Sequence, residues 1–286
     1  MRALLLGGRG QLASDIARLW TKHEVIPLGH DECDVTDAAA VADAVRAHRP
    51  DVALNLAAYH RVDDCEGPGA TAAFAVNVIG AKNVADACRE HGAACLWLST
   101  DYVFSGEAAR PYREDDPTDP ISMYGASKAA GEHVIRYACP RHYVVRSSGL
   151  YGVAGASGKG GNFVETMLRL AREGTPIRVV DDQTLGPTST ADLALALEAL
   201  AATGAFGTYH VTNAGECSWH EFAGAIFEMT GLSPDFGPTT SAEFGAAARR
   251  PRYSVLANER LRALGIARPR PWREALAAYL AEKGYR

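Results

Sequence analysis

Short apolar runs alternate with longer amphipathic stretches from the first residue of the chain. Residues 2–6, 24–28, 52–56, 94–98 and 142–146 are brief and mostly apolar, the pattern of strands buried on both faces of a sheet. Between them, residues 11–20, 38–48, 71–91 and 122–138 read as helices. Strand and helix repeated in this way predict an α/β fold with a parallel sheet covered on both sides. Right-handed crossovers then make the sheet doubly wound, of the Rossmann type.

Beyond residue 146 the alternation loosens. Residues 149–161 hold six glycines in thirteen positions, too many for a helix, and predict a loop. Helices are expected at 163–172, 190–202, 218–230 and 271–283, and strands at 177–180 and 208–211. The expected organisation is a dinucleotide-binding domain over 1–146 and a smaller, mainly substrate-binding C-terminal lobe over 147–286. Some later segments should rejoin the large sheet.

Composition narrows the function classes. A chain of 286 residues with 47% hydrophobic and 22% charged residues is long enough to bury a substantial core. A net charge of −5 argues against nucleic acid as the main partner. The longest apolar stretches, such as 193–202, contain a charge (Glu198) and fall short of the roughly 20 residues a membrane helix needs. A cytoplasmic protein is therefore expected, with no membrane partner. Cysteines 33, 65, 88, 95, 139 and 217 form no Cys-x-x-Cys pair, which predicts thiols in a reducing compartment and no structural zinc. No metal site is indicated, although Mg²⁺ needs only carboxylates and water and stays compatible.

The first strand runs straight into Gly7-Gly8-Arg9-Gly10-Gln11-Leu12-Ala13. Gly7 permits a tight turn, Gly10 lets a pyrophosphate approach the backbone, and small Ala13 lets helix and sheet pack closely. The helix start then offers free N–H groups to phosphates. A glycine-rich turn alone is weak evidence; directly after a strand and before a helix it points to a dinucleotide. The second strand ends Leu28-Gly29-His30, without an immediate carboxylate for the adenosine ribose, while Asp31, Glu32 and Asp34 follow. Arg9 could pair with a 2′-phosphate, which favours NADPH over NADH; the competing reading makes Arg9 and His30 solvated loop residues.

Tyr124-Gly125-Ala126-Ser127-Lys128 carries the candidate chemistry. Tyr and Lys four apart lie one helical turn from each other. The ammonium is expected to lower the tyrosine pKa towards neutrality, so that Tyr124 gives a proton to a ketone oxygen as hydride arrives. The motif opens the helix after the fourth strand, and Ser99-Thr100-Asp101 ends that strand, where open parallel sheets bind ligands.

Taken in order, these and further motifs resemble the extended short-chain dehydrogenase/reductases, and within them the dTDP-4-dehydrorhamnose reductase family. The series runs through Gly7–Leu12, Asp34-Val35-Thr36-Asp37, Asn55–Tyr59, Val62-Asp63, Asn77-Val78 and Asn83. It continues with 99–104, Gly106, Pro111-Tyr112, Glu114, Asp116, Pro120, 124–128, Gly131-Glu132, Asn162-Phe163, Asp182-Gln183, Pro187-Thr188, Ser218-Trp219 and Glu221-Phe222. The resemblance implies Tyr124 as proton donor, Lys128 on the nicotinamide ribose and Thr100 as the hydroxyl partner at the substrate oxygen. Gly10, Gln11 and Leu12 would line the pyrophosphate, Asp34 and Val35 the adenine, and Ala58, Tyr59 and His60 the cofactor after the third strand. Asp101 and Tyr102 would face the sugar, with packing as the competing role. The family commonly has Arg-Thr-Ser-Trp-Val-Tyr-Gly where this chain reads Arg146-Ser147-Ser148-Gly149-Leu150-Tyr151-Gly152. Gly149 thus removes an apolar wall and should open the pocket.

The implied activity is NAD(P)H-dependent reduction of a 4-keto group on a nucleotide-linked deoxysugar, with dTDP-4-dehydrorhamnose first among the substrates. Two alternatives stand beside it. One is an epimerase or dehydratase that retains its NAD; the other is a non-catalytic regulatory subunit, because the family resemblance extends to a subunit that binds methionine adenosyltransferase. Retention of Tyr124, Lys128 and Thr100 argues against the second. A homodimer is compatible with the reading.

Overall fold

The computed structural model describes residues 1–155 and 161–285. The first half contains β1 (Arg2–Leu6), α1 (Gln11–Leu19), β2 (Glu24–Leu28), α2 (Ala38–His48), β3 (Val52–Asn55), α3 (Ala70–Phe74), α4 (Ala81–His91), β4 (Ala94–Thr100), α5 (Met123–Ala138) and β5 (His142–Ser147). The second contains β6 (Leu150–Tyr151), α6 (Phe163–Arg172), β7 (Ile177–Val180), β8 (Thr184–Leu185), β9 (Thr188–Ser189), α7 (Thr190–Ala201), β10 (Gly207–His210), β11 (Cys217–Ser218), α8 (Trp219–Thr230), β12 (Phe236–Thr239), α9 (Ser241–Phe244), α10 (Glu259–Ala263) and α11 (Trp272–Glu282).

Six strands form one sheet in the order β10-β5-β4-β3-β1-β2, and every pairing in it is parallel. The period-2 geometry of a strand sends Ala3 and Leu5 to one face, with α1 and α7 residues such as Ile16 and Leu197. Leu4 and Leu6 go to the other, with Val41, Val84 and Ile135. This is the doubly wound Rossmann-type architecture. Pro27 sits in β2, at the edge of the sheet, where a missing N–H breaks no interior ladder. The chain turns back across the sheet between β1 and β3, and ligand crevices form at the carboxyl ends of strands beside such a switch point.

A separate core gathers Tyr151, Val164, Leu168, Phe222, Ile226, Trp272 and Leu276. All of these come from the second half of the chain, yet α7 and β10 of the same half pack into the large sheet.

Two local differences from the pattern reading have physical causes. The single helix expected at 71–91 is interrupted by a π-helical turn, Ala75–Gly80, which apolar periodicity alone does not reveal. Part of the expected glycine loop is a short strand, β6, paired with β9; residues 156–160 of that loop lie outside the described residues. The π-turn faces α5 at Gly131. A Cβ there would meet the backbone oxygen of Asn77 and come within 2.6 Å of the Trp97 ring.

Helix α5 is also held from below. Glu132 accepts from Arg146 through both carboxylate oxygens, at 2.8 and 2.7 Å, from Ser99 Oγ at 2.7 Å and from Arg136 at 2.6 Å. Glu132 and Arg146 are both buried, so α5 is clamped to β4 and β5 by a charge pair with no competing water.

Gly131→Ala should destabilise the fold by about 1–3 kcal/mol, the usual cost of forcing atoms into a filled interior. Urea unfolding of the two proteins side by side measures it, and an unchanged midpoint would mean that the π-turn yields freely.

Candidate active site

The carboxyl ends of the central strands open onto a cleft of about 910 Å³. Its floor at one end is the glycine turn. Gly7 has a φ of +81°, and a Cβ on it would lie 2.7 Å from Ala57 N, so only glycine fits between β1 and the segment after β3. Helices α2, α5, α6 and α8 start with side-chain caps from Asp37, Ser122, Asn162 and Ser218. Helix α1 starts at Gly10 with none. Its first N–H groups therefore remain available to an anion.

Around this turn the cleft is lined by Arg9, Gln11 and Leu12, then by His30, Asp31, Asp34 and Val35, and by Ala58, Tyr59 and His60. Asp34 is fastened by Thr36, whose backbone N–H and hydroxyl both donate to it at 2.9 Å and hold its carboxyl below the usual range. Arg9 is exposed and donates to Asp31 at 3.0 Å, with Glu32 at 3.8 Å. Its charge is thus already countered by two carboxylates. The segment after β3 is pinned by Asn77, whose amide accepts from Tyr59 N at 3.0 Å and donates to Tyr59 O at 3.1 Å. Asn77 also donates to Ser127 Oγ, which donates on to Tyr124 O. One buried amide on the π-turn therefore ties the Ala58–His60 segment to the first turn of α5. The sequence marks Asn77 as part of a motif but gives it no task, because the π-turn that aims it is a tertiary feature.

Thr100, Tyr124 and Lys128 meet at the other end of the same cleft. The Thr100 side chain acts on the Tyr124 phenol to favour its ionised form, and the Tyr102 ring stands edge-on to Tyr124, with centroids 5.8 Å apart. Lys128 is buried; its Nζ donates to Leu98 O at 2.7 Å and lies 3.8 Å from the centre of the Trp97 ring.

The family model described as the RmlD substrate binding domain matches residues 1–284. The chain belongs to that family. It is 44% identical to the dTDP-4-dehydrorhamnose reductase of Streptomyces griseus, over 96% of this chain and 91% of the relative. It is 42% identical to a probable dTDP-4,6-dihydroxy-2-methyloxan-3-one 4-ketoreductase of Streptomyces antibioticus, over 96% and 93%. Its fold matches the crystal structure of a Bacillus anthracis dTDP-4-dehydrorhamnose reductase in complex with NADP, with a TM-score of 0.93 at 38% identity, over 98% and 99% of the two chains.

In this member of the RmlD family the tyrosine and lysine differ electrically from the expectation. Burial pushes the Tyr124 phenol up, as do Asp101, Tyr102 and Cys65 nearby, against a smaller opposing effect of the Thr100 side chain. Burial likewise lowers Lys128 to about 7, opposed by Glu132. The lysine faces the Leu98 carbonyl and the indole, and its own charge is costly there, so it does not supply the strong field on Tyr124 that spacing alone suggested.

Towards the second half of the chain the cleft is lined by Asp101, Tyr102, Gly149, Leu185, Phe163 and Trp219. Asp101 is 3% exposed. Its Oδ1 accepts from Thr100 at 3.0 Å; its Oδ2 accepts from Ser148 at 2.7 Å and from Ser254 at 2.6 Å. Gly149 has a φ of +54°, and a Cβ would lie 2.7 Å from a Leu185 methyl. The wall at this point is therefore Leu185. The Phe163 and Trp219 rings, 4.6 Å apart, add aromatic surface contributed by the second half of the chain. Among the described residues no group of three or more His, Cys, Asp or Glu is placed to hold a metal ion, and no helix is long and apolar enough to cross a membrane.

A lysine depressed in the folded state binds fewer protons than in the unfolded chain between about 7 and its ordinary 10.5. Stability must then rise with pH across that window. The difference in unfolding free energy between wild type and Lys128→Met should shift in favour of wild type from pH 7 to pH 10. A difference that stays flat would show that Lys128 keeps its ordinary pKa in the fold.

Proposed function

We propose that this chain is an NAD(P)H-dependent reductase of the 4-keto group on a dTDP-linked 6-deoxysugar, with dTDP-4-dehydrorhamnose as the first substrate to test. The observation that carries this reading is the shared cleft. An uncapped helix start behind Gly7 and Gly10 opens into the same space as Thr100, Tyr124 and Lys128. The relatives in S. griseus and S. antibioticus, named for reducing such sugars, support the substrate class. The NADP complex of the B. anthracis relative supports the cofactor.

In this reading Gly10, Gln11 and Leu12 hold the pyrophosphate, with Gly7 making the turn. Asp34 and Val35 flank the adenine, and Ala58, Tyr59 and His60 border the nicotinamide half with Lys128. A bound reduced nicotinamide supplies the hydride. Tyr124 supplies the proton to the ketone oxygen, so that the product is an alcohol, and Thr100 positions that oxygen. Tyr102, Gly149 and Leu185 shape the sugar end. The elevated phenol suits this direction of reaction, since a proton donor has to arrive protonated. Residues 1–146 would chiefly serve the dinucleotide and 147–286 the sugar, with α7 and β10 returning to support the sheet.

Tyr124→Phe should lower kcat by about 10²–10⁴-fold, the range of a lost general acid, while NADPH still titrates into the protein with little change in affinity. The assay uses a panel of 4-keto nucleotide sugars with NADPH and NADH. Near-normal turnover in the variant would remove Tyr124 from its role, and product without stoichiometric NADPH consumption would instead favour an epimerase.

The cofactor preference follows from Arg9. Because Asp31 and Glu32 already counter its charge and solvent surrounds it, its contribution to a 2′-phosphate is small. Arg9→Ala should weaken NADPH relative to NADH by about 1 kcal/mol, the scale of an exposed charge pair. Equal losses for both cofactors, read by fluorescence titration, would show that Arg9 does not sense the phosphate.

A further inference from the structure

Glycine content marks the stretch after residue 149 as a loop, yet from Gly149 to Val153 every backbone carbonyl meets a donor from elsewhere in the fold. Gly149 O accepts from Thr188 N at 3.2 Å. Leu150 O takes the Gln11 carboxamide of α1 at 3.4 Å, and Tyr151 O takes the Thr190 hydroxyl at the start of α7 at 3.3 Å. Gly152 O accepts from Asn162 Nδ2 at 3.0 Å, and Val153 O from Lys283 Nζ, just beyond α11, at 3.5 Å. The course of this segment is therefore set by partners distant in the chain, and not by its own propensity.

The tie from Asn162 reaches into the cleft. Asn162 is 5% exposed, and both it and the next residue, Phe163, line the cleft. A carboxamide has one acceptor oxygen and two N–H donors, and here all three are used. Oδ1 caps α6 by accepting from Glu165 N at 3.1 Å. One Nδ2 proton goes to Gly152 O and the other to the Tyr279 hydroxyl at 3.2 Å. Tyr279 donates in turn to Glu165 Oε1 at 2.6 Å. A carbonyl, and a hydroxyl whose proton is already spent, can only accept, so the orientation of the amide is fixed. Asn162 has no N–H left to offer a ligand.

Both pieces that the amide joins border the cleft. Gly149 sits so close to Leu185 that a Cβ would lie 2.7 Å from a methyl of that side chain. Phe163 lies 4.6 Å from Trp219 and stacks on Phe222 at 5.7 Å, centre to centre. While the amide spans them, neither piece can shift without the other.

We propose that Asn162 is a positioning residue for substrate selection: through Gly152 it fixes the wall at Gly149 and Leu185 relative to the aromatic surface at Phe163 and Trp219, so that the width of this end is built into the fold. The proposal rests on the reading of this end as the one that takes the sugar. It adds no step to the reaction.

The test separates the tie from the cap. Serine and aspartate cap a helix as well as asparagine does. Serine ends one bond short of the amide nitrogen, and aspartate turns an acceptor towards Gly152 O. Asn162→Ser and Asn162→Asp therefore keep the cap and cut the tie. In both, the KM for the preferred 4-keto nucleotide sugar should rise about tenfold, the scale of one lost buried hydrogen bond. The ratio of kcat/KM values between two sugars of the panel should change with it. Saturating kcat and NADPH affinity should stay near wild type, because Tyr124 and Lys128 are carried by α5 and Leu150 remains tied to α1. A second readout needs no sugar. Trp20, Trp97 and Trp272 are buried and Trp219 is half-buried, so acrylamide quenching, read against Trp219→Phe, reports on this surface and should increase in both variants. A wild-type KM and sugar ratio in Asn162→Ser overturn the proposal, since capping would then be all that Asn162 does. So does a fall in kcat with KM unchanged. Asn162→Ser keeps the question answerable if the added charge prevents Asn162→Asp from folding. If wild type reduces none of the sugars, the substrate reading fails, and the quenching alone decides: a rise upholds the tie as what holds the wall, and a wild-type value overturns it.

Discussion

The buried pair between Glu132 and Arg146 is the interaction on which the site geometry depends. Bringing two charges out of water costs several kcal/mol per ion, and only close geometry and further hydrogen bonds repay it. Here both carboxylate oxygens face the guanidinium, and Ser99 and Arg136 complete the set. Glu132 lies on α5, Arg146 on β5 and Ser99 on β4. The pair therefore fixes the rotation and height of α5 against the two strands whose ends carry Thr100 and Ser147. Tyr124 and Lys128 lie about two turns and one turn before Glu132 on the same helix, so their placement follows from that clamp.

A second constraint acts from the opposite side of α5. The π-turn places Asn77 where one amide can hold the backbone of Tyr59 and, through Ser127, the carbonyl of Tyr124. The helix is thereby fastened from below by charge and from the side by an amide, and the two ends of the cleft are coupled through buried contacts. The glycine turn gives up stability in the same region. Helix α1 lacks the side-chain cap that α2, α5, α6 and α8 possess, a loss of about 1 kcal/mol by the usual scale. The N–H groups left open are the ones a pyrophosphate would use.

Burial drives the electrostatics of the cleft towards neutral forms. Lys128 is lowered, and Tyr124, Tyr102 and Asp101 are raised. In such surroundings a single charge carried in by a ligand interacts strongly with its neighbours. The direction of each hydrogen bond also matters more than in water, because an unmatched donor or acceptor has no solvent to turn to.

The sequence by itself determined the layered α/β architecture, because strands buried on both faces must be apolar throughout and the helices between them amphipathic. It also determined the turn at Gly7 and Gly10 and the joint use of Tyr124 and Lys128, since each depends on spacing within one strand–turn–helix unit or one helical turn. Only the tertiary structure decided what those groups face. The π-turn was hidden because its apolar residues continue the helical pattern. Lys128 turned out to point at Leu98 and Trp97, and Arg9 at two carboxylates, since the direction of a long side chain is set by neighbours distant in the chain. Asp101 is the clearest case. Its motif marks it as part of the site, but the Ser148 and Ser254 hydroxyls that occupy its second oxygen come from positions 47 and 153 residues away, and no local pattern encodes a meeting over that separation.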